Sequence, residues 1–270
     1  MKQILDHGYI KLVEGWGSDE RIIEAARMST DKGFLGWGTY TCPVCLNVTD
    51  EREDAVGHGS LEYCAQCSRT APYDYKIGDE KLLEYLYTHK HDTPFEFAGL
   101  VVEVQAPIFV FREWHRHRTQ SYNEMSARYT PLPDVNYAPT LDRLMLNAGG
   151  TNKQAGTIAA ADALSHENAL QWLERLDRTY ADLEDFYRWG LQIGVPKELA
   201  RVALPVGRYS RMRASMNLRN ALAFLTLRSS TYAQWEIRQF ADALGEIIAE
   251  LFPRTWALYL KGQSVKVHGA

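Results

Sequence analysis

The chain has 270 residues, 46% of them hydrophobic and 24% charged, with a formal net charge of −4. This composition excludes a disordered or low-complexity chain, and the acidic balance excludes a protein that coats a nucleic-acid duplex with its whole surface. The apolar runs fall short of the roughly 20 residues that a membrane span needs, and MKQILDHGYIKL shows no leader-like apolar core, so a cytoplasmic location is expected.

Residues 8–16 read as a strand. Ser18 is the expected N-cap of a helix over 19–29, with Asp19 and Glu20 in the first turn, where the helix dipole favours acids. From Gly33 to Ile77 the helical period disappears, and residues 34–76 read as a module inserted into a domain formed by 1–33 and 77–270. Helical spacing returns at 79–89 with Leu82, Leu83 and Leu86 on one face, and 97–105 reads as a strand with Leu100, Val102 and Val104 sharing a face. Pro107 suits the first position of a helix over 107–115.

A proline-rich loop follows from Pro131 to Pro139. Helical spacing is then sustained over 157–192 through Ala163, Leu170, Leu173, Leu176, Tyr180, Leu183 and Phe186. That length exceeds a typical globular helix, so a break near Gly190 or two separate helices are expected. Pro196 opens a short helix, 207–216 reads as a strand, and helices are expected at 217–228, 232–250 and 252–260. The sum is a helix-rich α+β fold: one catalytic-sized domain with a small insertion.

All four cysteines fall in CPVC and CAQC, as Cys42, Cys45, Cys64 and Cys67, with eighteen residues between the pairs. Two such pairs match a tetrahedral thiolate site for zinc, of a structural kind because four protein ligands leave no open position. Two disulfides and an iron–sulfur centre are the competing readings. Thiols holding a metal are also unavailable as catalytic nucleophiles.

Arginine is concentrated in two places. RHRTQSYNEMSARY spans Arg116 to Tyr129, and Arg112 lies just before it; Arg201 to Arg228 holds six arginines with no lysine and no acid. Planar guanidinium forks without lysine point to geometric recognition of phosphate or carboxylate. A solvated ion-pair cluster is the rival reading for the first stretch, and Arg208, Arg211 and Arg213 could equally pair with acids.

Arg116-His117-Arg118, seven residues, then Ser126 resembles the signature of the flavin-dependent thymidylate synthases. HDTPFEF (His91 to Phe97), the helix APIFVFREWHRHR, the segment RVALPVGRYSRMRASMNLRNALAFLTLR and AQWEIRQFA resemble further family segments in the family's order. The resemblance covers most of 1–30 and 78–260 and leaves out the cysteine module.

The resemblance implies conversion of dUMP to dTMP. Methylenetetrahydrofolate would donate carbon, NADPH-reduced FAD would donate hydride, and no cysteine would attack the ring. It implies dUMP contacts from Glu113, Arg116, Glu124, Met125, Ser126, Ala127, Arg128, Arg201 and Arg228. FAD contacts are implied for Thr93, Arg116, His117, Arg118, Glu124, Asn217, Leu218, Arg219 and Ala223. Arg228 would face the uracil, Ser126 would hydrogen-bond the nucleotide and His91 would lie beside the flavin. Two positions depart from the family: Glu113 stands where glutamine is common, so it could instead orient an arginine, and Ala223 stands where asparagine touches the flavin adenine. A homotetramer with active sites at subunit interfaces is implied, with no nucleic-acid or membrane partner. The alternatives are a zinc-ribbon nucleic-acid-binding protein and a flavin enzyme acting on a different pyrimidine nucleotide.

Overall fold

A computed structural model describes residues 1–49, 61–64, 66–72, 74–146 and 164–267. In chain order the strands and helices are β1 (Lys2–Ile4), β2 (Gly8–Trp16), α1 (Asp19–Arg27), β3 (Thr39–Thr41), β4 (Val48–Thr49), β5 (Leu61–Cys64), β6 (Arg69–Pro72), β7 (Asp74–Lys76) and α2 (Glu80–Thr88). Then come β8 (Gly99–Pro107), α3 (Ile108–Trp114), β9 (Ser121–Glu124), α4 (Leu141–Met145), α5 (His166–Gln192) and α6 (Lys197–Ala200). The chain closes with β10 (Tyr209–Asn217), α7 (Leu218–Arg228), α8 (Trp235–Leu251) and α9 (Pro253–Val267). Mixed helix and sheet is thus the architecture, in two compact units: residues 1–14, 100–216 and 220–247 form one, and 15–99, 217–219 and 248–270 the other.

The first unit is built on a five-stranded sheet of order β1-β2-β8-β10-β9. Leu100, Val102 and Val104 share a buried face of β8, as their alternation requires. Trp114 packs on Phe224 (centroids 4.6 Å) and Phe240 (6.4 Å), joining α3, α7 and α8 in one aromatic core. Pro107 precedes α3 as its cap rather than forming its first residue.

Two expectations fail here. The strand expected at 97–105 begins at Gly99, because Pro94 fixes a short 3-10 turn over Thr93–Phe97. The break near Gly190 is absent, and α5 runs unbroken from His166 to Gln192; the start of the expected helical stretch, 157–163, lies outside the described residues. A glycine inside a helix costs only about 1 kcal/mol against alanine. The stop comes at Gly194 (φ 90°), where the Val195 N–H reaches back to the Gly190 carbonyl at 2.9 Å. Of the apolar positions on α5, Leu170 and Phe186 are exposed, 53% and 58%, so helical spacing here does not mark a core face within one chain.

The second unit packs α1, α2 and α9, with Ile22, Ile23, Leu83 and Phe252 buried. Ser18 caps α1 by accepting from the Arg21 N–H at 3.3 Å. Asp19 accepts from the Thr255 hydroxyl at 2.6 Å and from the Arg254 N–H at 2.9 Å, tying the start of α9 to α1. The neck of the cysteine module is clamped here too. Asp79 accepts from the Leu35 N–H at 2.9 Å and pairs with Arg27, and Glu80 accepts from the Gly38 N–H. Gly78 admits no side chain, since a Cβ there would lie 2.3 Å from the Gly38 nitrogen.

Candidate active site

The RHR stretch is a turn between α3 and β9. The His117 N–H bonds the Trp114 carbonyl at 3.0 Å, and the Trp114 indole donates to Gln120 Oε1 at 3.0 Å, closing the loop over the core. Tyr122 donates its hydroxyl to the His117 carbonyl at 2.7 Å, and burial pushes that phenol up to about 12, so it stays a donor at neutral pH. This leaves His117 half-buried between exposed Arg116 and Arg118. Among the described residues, no acidic side chain pairs with Arg112, Arg116 or Arg118.

Arg228, the last residue of α7, turns back onto α3. Its Nη1 meets Glu113 Oε2 at 2.6 Å, its Nη2 donates to the Glu113 carbonyl at 3.0 Å and its Nε donates to His117 Nε2 at 2.9 Å. Arginine is always a donor, so His117 carries its proton on Nδ1. Burial, then the adjacent guanidinium, lowers His117 to about 4. Phe224, one helical turn before Arg228, lies edge-on to the His117 ring at 4.7 Å.

A second group forms around 124–128. β9 pairs with β10, Glu124 opposite Met212, and the Met125 N–H donates to the Arg211 carbonyl at 2.8 Å. Ser126 Oγ accepts from the Arg128 N–H at 3.3 Å, and Ala127 is buried. Arg128 faces Glu198 on α6 at 3.5 Å, and Lys197 donates to the Tyr129 carbonyl at 3.1 Å. Arg201, exposed just after α6, hydrogen-bonds the Glu198 carbonyl at 3.3 Å. Ser126, Arg128 and Arg201 therefore share one neighbourhood. Arg211 donates to the Met125 sulfur at 3.1 Å beside a cavity of about 270 Å³ lined also by Glu124, Asn123 and Arg213. Arg208 is different: it is buried and bound to Asp134 at 3.0 Å and Glu184 at 2.8 Å.

The second unit carries the other expected flavin residues. Leu218 N–H bonds the Ala98 carbonyl at 2.7 Å, which sets Asn217, Leu218 and Arg219 beside the turn that holds Thr93. Arg219 reaches Glu96 at 2.5 Å and Asp92 at 3.5 Å. His91 is exposed and stacks on Tyr85 at 5.6 Å. Ala223 belongs to the first unit, exposed on α7, and offers no side-chain donor. Glu96 and Asp92 were not singled out from the sequence, although both lie in HDTPFEF; acids in that segment were the available signal.

The Sγ atoms of Cys42, Cys45 and Cys67 all lie within 4.8 Å of one another, and Cys42 to Cys67 is 3.9 Å. Zinc–sulfur bonds of about 2.3 Å in a tetrahedron place sulfurs about 3.8 Å apart. Leu46 (φ 61°) and Ser68 (φ 56°), each directly after the second cysteine of its pair, are both left-handed. The Cys64 side chain lies outside the described residues.

Exposed guanidiniums without an acidic partner, next to the edge strand β9, are the kind of group that recognises phosphate or carboxylate. The model of the family "thymidylate synthase complementing protein" matches residues 11–254, and the chain belongs to that family. It is 36% identical to a flavin-dependent thymidylate synthase of Thermus thermophilus over 95% of this chain and 77% of that one. It is 33% identical to that of Thermosipho melanesiensis over 96% and 93%. A solved structure similar to this one is a UMP/dUMP methylase, PolB, from Streptomyces cacaoi bound with 5-Br UMP, with TM-score 0.69, 26% identity and 96% of each chain covered.

Proposed function

We propose that the chain is a flavin-dependent thymidylate synthase, converting dUMP to dTMP with methylenetetrahydrofolate as carbon donor and NADPH as reductant. The observation that carries this reading is the family match over residues 11–254, which contains the acid-free Arg116 and Arg118. Those exposed guanidiniums fit a diphosphate-bearing cofactor such as FAD; when bound and reduced, the flavin supplies a hydride. In the first unit Arg116, His117, Arg118 and Glu124 would hold it. Thr93, Asn217, Leu218 and Arg219 are proposed as flavin contacts on the family resemblance, with His91 beside the ring. Ala223 contributes no side-chain hydrogen bond.

Arg116, Ser126, Arg128 and Arg201 would seat the nucleotide phosphate, with the backbone of Glu124, Met125 and Ala127 lining the site. Arg228 would stabilise negative charge developing on the pyrimidine as it is activated. No thiolate is required, and the thiols of Cys42, Cys45 and Cys67 face one another, as ligands of a structural zinc completed by Cys64 would. Residues 34–76 would then be an insertion in the catalytic domain.

A homotetramer is part of the proposal. Trp172, Phe186 and Trp189 on α5 are all about half exposed, an apolar face suited to a homotetramer. No helix among the described residues is long and apolar enough to cross a membrane, and reduced thiols suit the cytoplasm. No nucleic-acid partner is proposed.

Purified protein should be yellow and should form dTMP from dUMP only with methylenetetrahydrofolate and NADPH present. A colourless protein that takes up no FAD would refute this. Because PolB is a UMP/dUMP methylase, the assay should include UMP, and preference for UMP would reassign the substrate.

A further inference from the structure

We propose that Glu113 is a positioning residue that clamps Arg228 and sets the tautomer of His117, leaving two guanidinium N–H groups available to a ligand; this rests on the function proposed above. Arginine has five N–H donors. One on each of Nε, Nη1 and Nη2 is engaged, by His117 Nε2 at 2.9 Å, Glu113 Oε2 at 2.6 Å and the Glu113 carbonyl at 3.0 Å. One donor each on Nη1 and Nη2 is left. Either donor suits an acceptor such as a pyrimidine carbonyl oxygen.

The burial pattern agrees with this division of roles. Arg228's side chain is 16% exposed and Glu113's is 42% exposed. The guanidinium is therefore held from one side by groups that are themselves anchored: Glu113 lies on α3, whose Trp114 is fully buried, and His117 is backed by Phe224. A carboxylate and its own main-chain carbonyl gripping one guanidinium fix its plane as well as its position. Without the carboxylate, the main-chain carbonyl and the neutral His117 ring are left to hold a charged guanidinium, which loosens its plane. Misplacement of a catalytic group by about 1 Å can cost about 100-fold in rate.

The arrangement also makes His117 a report on the clamp. With Arg228 Nε donating to Nε2, the imidazole has one tautomer, Nδ1–H. If the guanidinium swings away, Nε2 loses its donor and both tautomers become populated.

The test compares the wild-type flavoprotein with Glu113→Ala and Glu113→Gln. It reads kcat and KM for dUMP, flavin content, thermal midpoint and the tautomer of His117 from 15N-histidine spectra assigned with His117→Gln. Glu113→Ala should lower kcat about 10- to 100-fold, with flavin content and melting unchanged and mixed His117 tautomers. Glu113→Gln keeps an acceptor for Nη1 and should recover kcat to within several-fold and restore the single tautomer. Full kcat and one tautomer in Glu113→Ala would overturn the proposal. So would equal damage in both variants accompanied by lost flavin and lower melting, which marks a merely structural residue. If the wild type turns over no dUMP, the proposed function fails, while the tautomer comparison still decides the clamp.

Discussion

The two arginine-rich segments differ in what their guanidiniums face. In the first, Arg112, Arg116 and Arg118 stand exposed with no acidic partner among the described residues, while Arg128 faces Glu198 at 3.5 Å. In the second, Arg208 is 1% exposed and carries two carboxylates, Arg213 faces Glu103, Arg219 faces Glu96 and Asp92, and Arg228 faces Glu113. A buried guanidinium balanced by carboxylates, as at Arg208, serves architecture. An unbalanced one keeps its field for a ligand. The segment without acids of its own is thus the better-neutralised one, Arg201 and Arg211 apart, because its acids arrive from elsewhere in the chain.

Arg208→Ala should sharpen the contrast most. It leaves Glu184, 14% exposed, without its buried cation, and should destabilise the fold by about 3 kcal/mol. Urea unfolding measures this, and a loss below about 0.5 kcal/mol would show that Arg208 is not architectural. Arg116→Ala should do the reverse. Flavin affinity should fall about 10- to 100-fold, the scale of one or two charge-assisted hydrogen bonds, with stability unchanged. Fluorescence titration with FAD checks it, and undiminished affinity would break the comparison.

The pH dependence of His117 comes next in size. Its folded value of about 4 lies below the ordinary 6.5, so the unfolded chain binds more protons between those two values. Stability is fully present above pH 6.5 and declines as pH falls toward 4. After discounting for the ring's partial exposure, the decline should be of order 1 kcal/mol. Urea midpoints at pH 7 and pH 5 should drop further in the wild type than in His117→Gln; equal drops would remove the argument. Arg213→Ala should have the smallest effect. Its pair with Glu103 is 61% exposed at the arginine and 3.5 Å long, so calorimetry should find less than about 0.5 kcal/mol. A larger loss would mean that Arg213 belongs with Arg208.

Much of the candidate site was legible because its signals are local. The RHR signature, the segment HDTPFEF and the order of the motifs need no tertiary information. The role of Glu113 was left open between nucleotide contact and arginine orientation; in the structure its carboxylate faces Arg228. β9 was missed, since Ser121–Glu124 is short and polar and becomes a strand only through pairing with β10.

From the sequence alone came Ser18 as a cap, the alternation that buries Leu100, Val102 and Val104, and the paired cysteine spacing, because caps, periods and knuckles are set by residues a few positions apart. Only the tertiary structure decided which arginines are neutralised and that part of the apolar spacing of α5 faces outward. Glu113 and Arg228 are 115 positions apart, and charge compensation depends on distance in space, which no local pattern records.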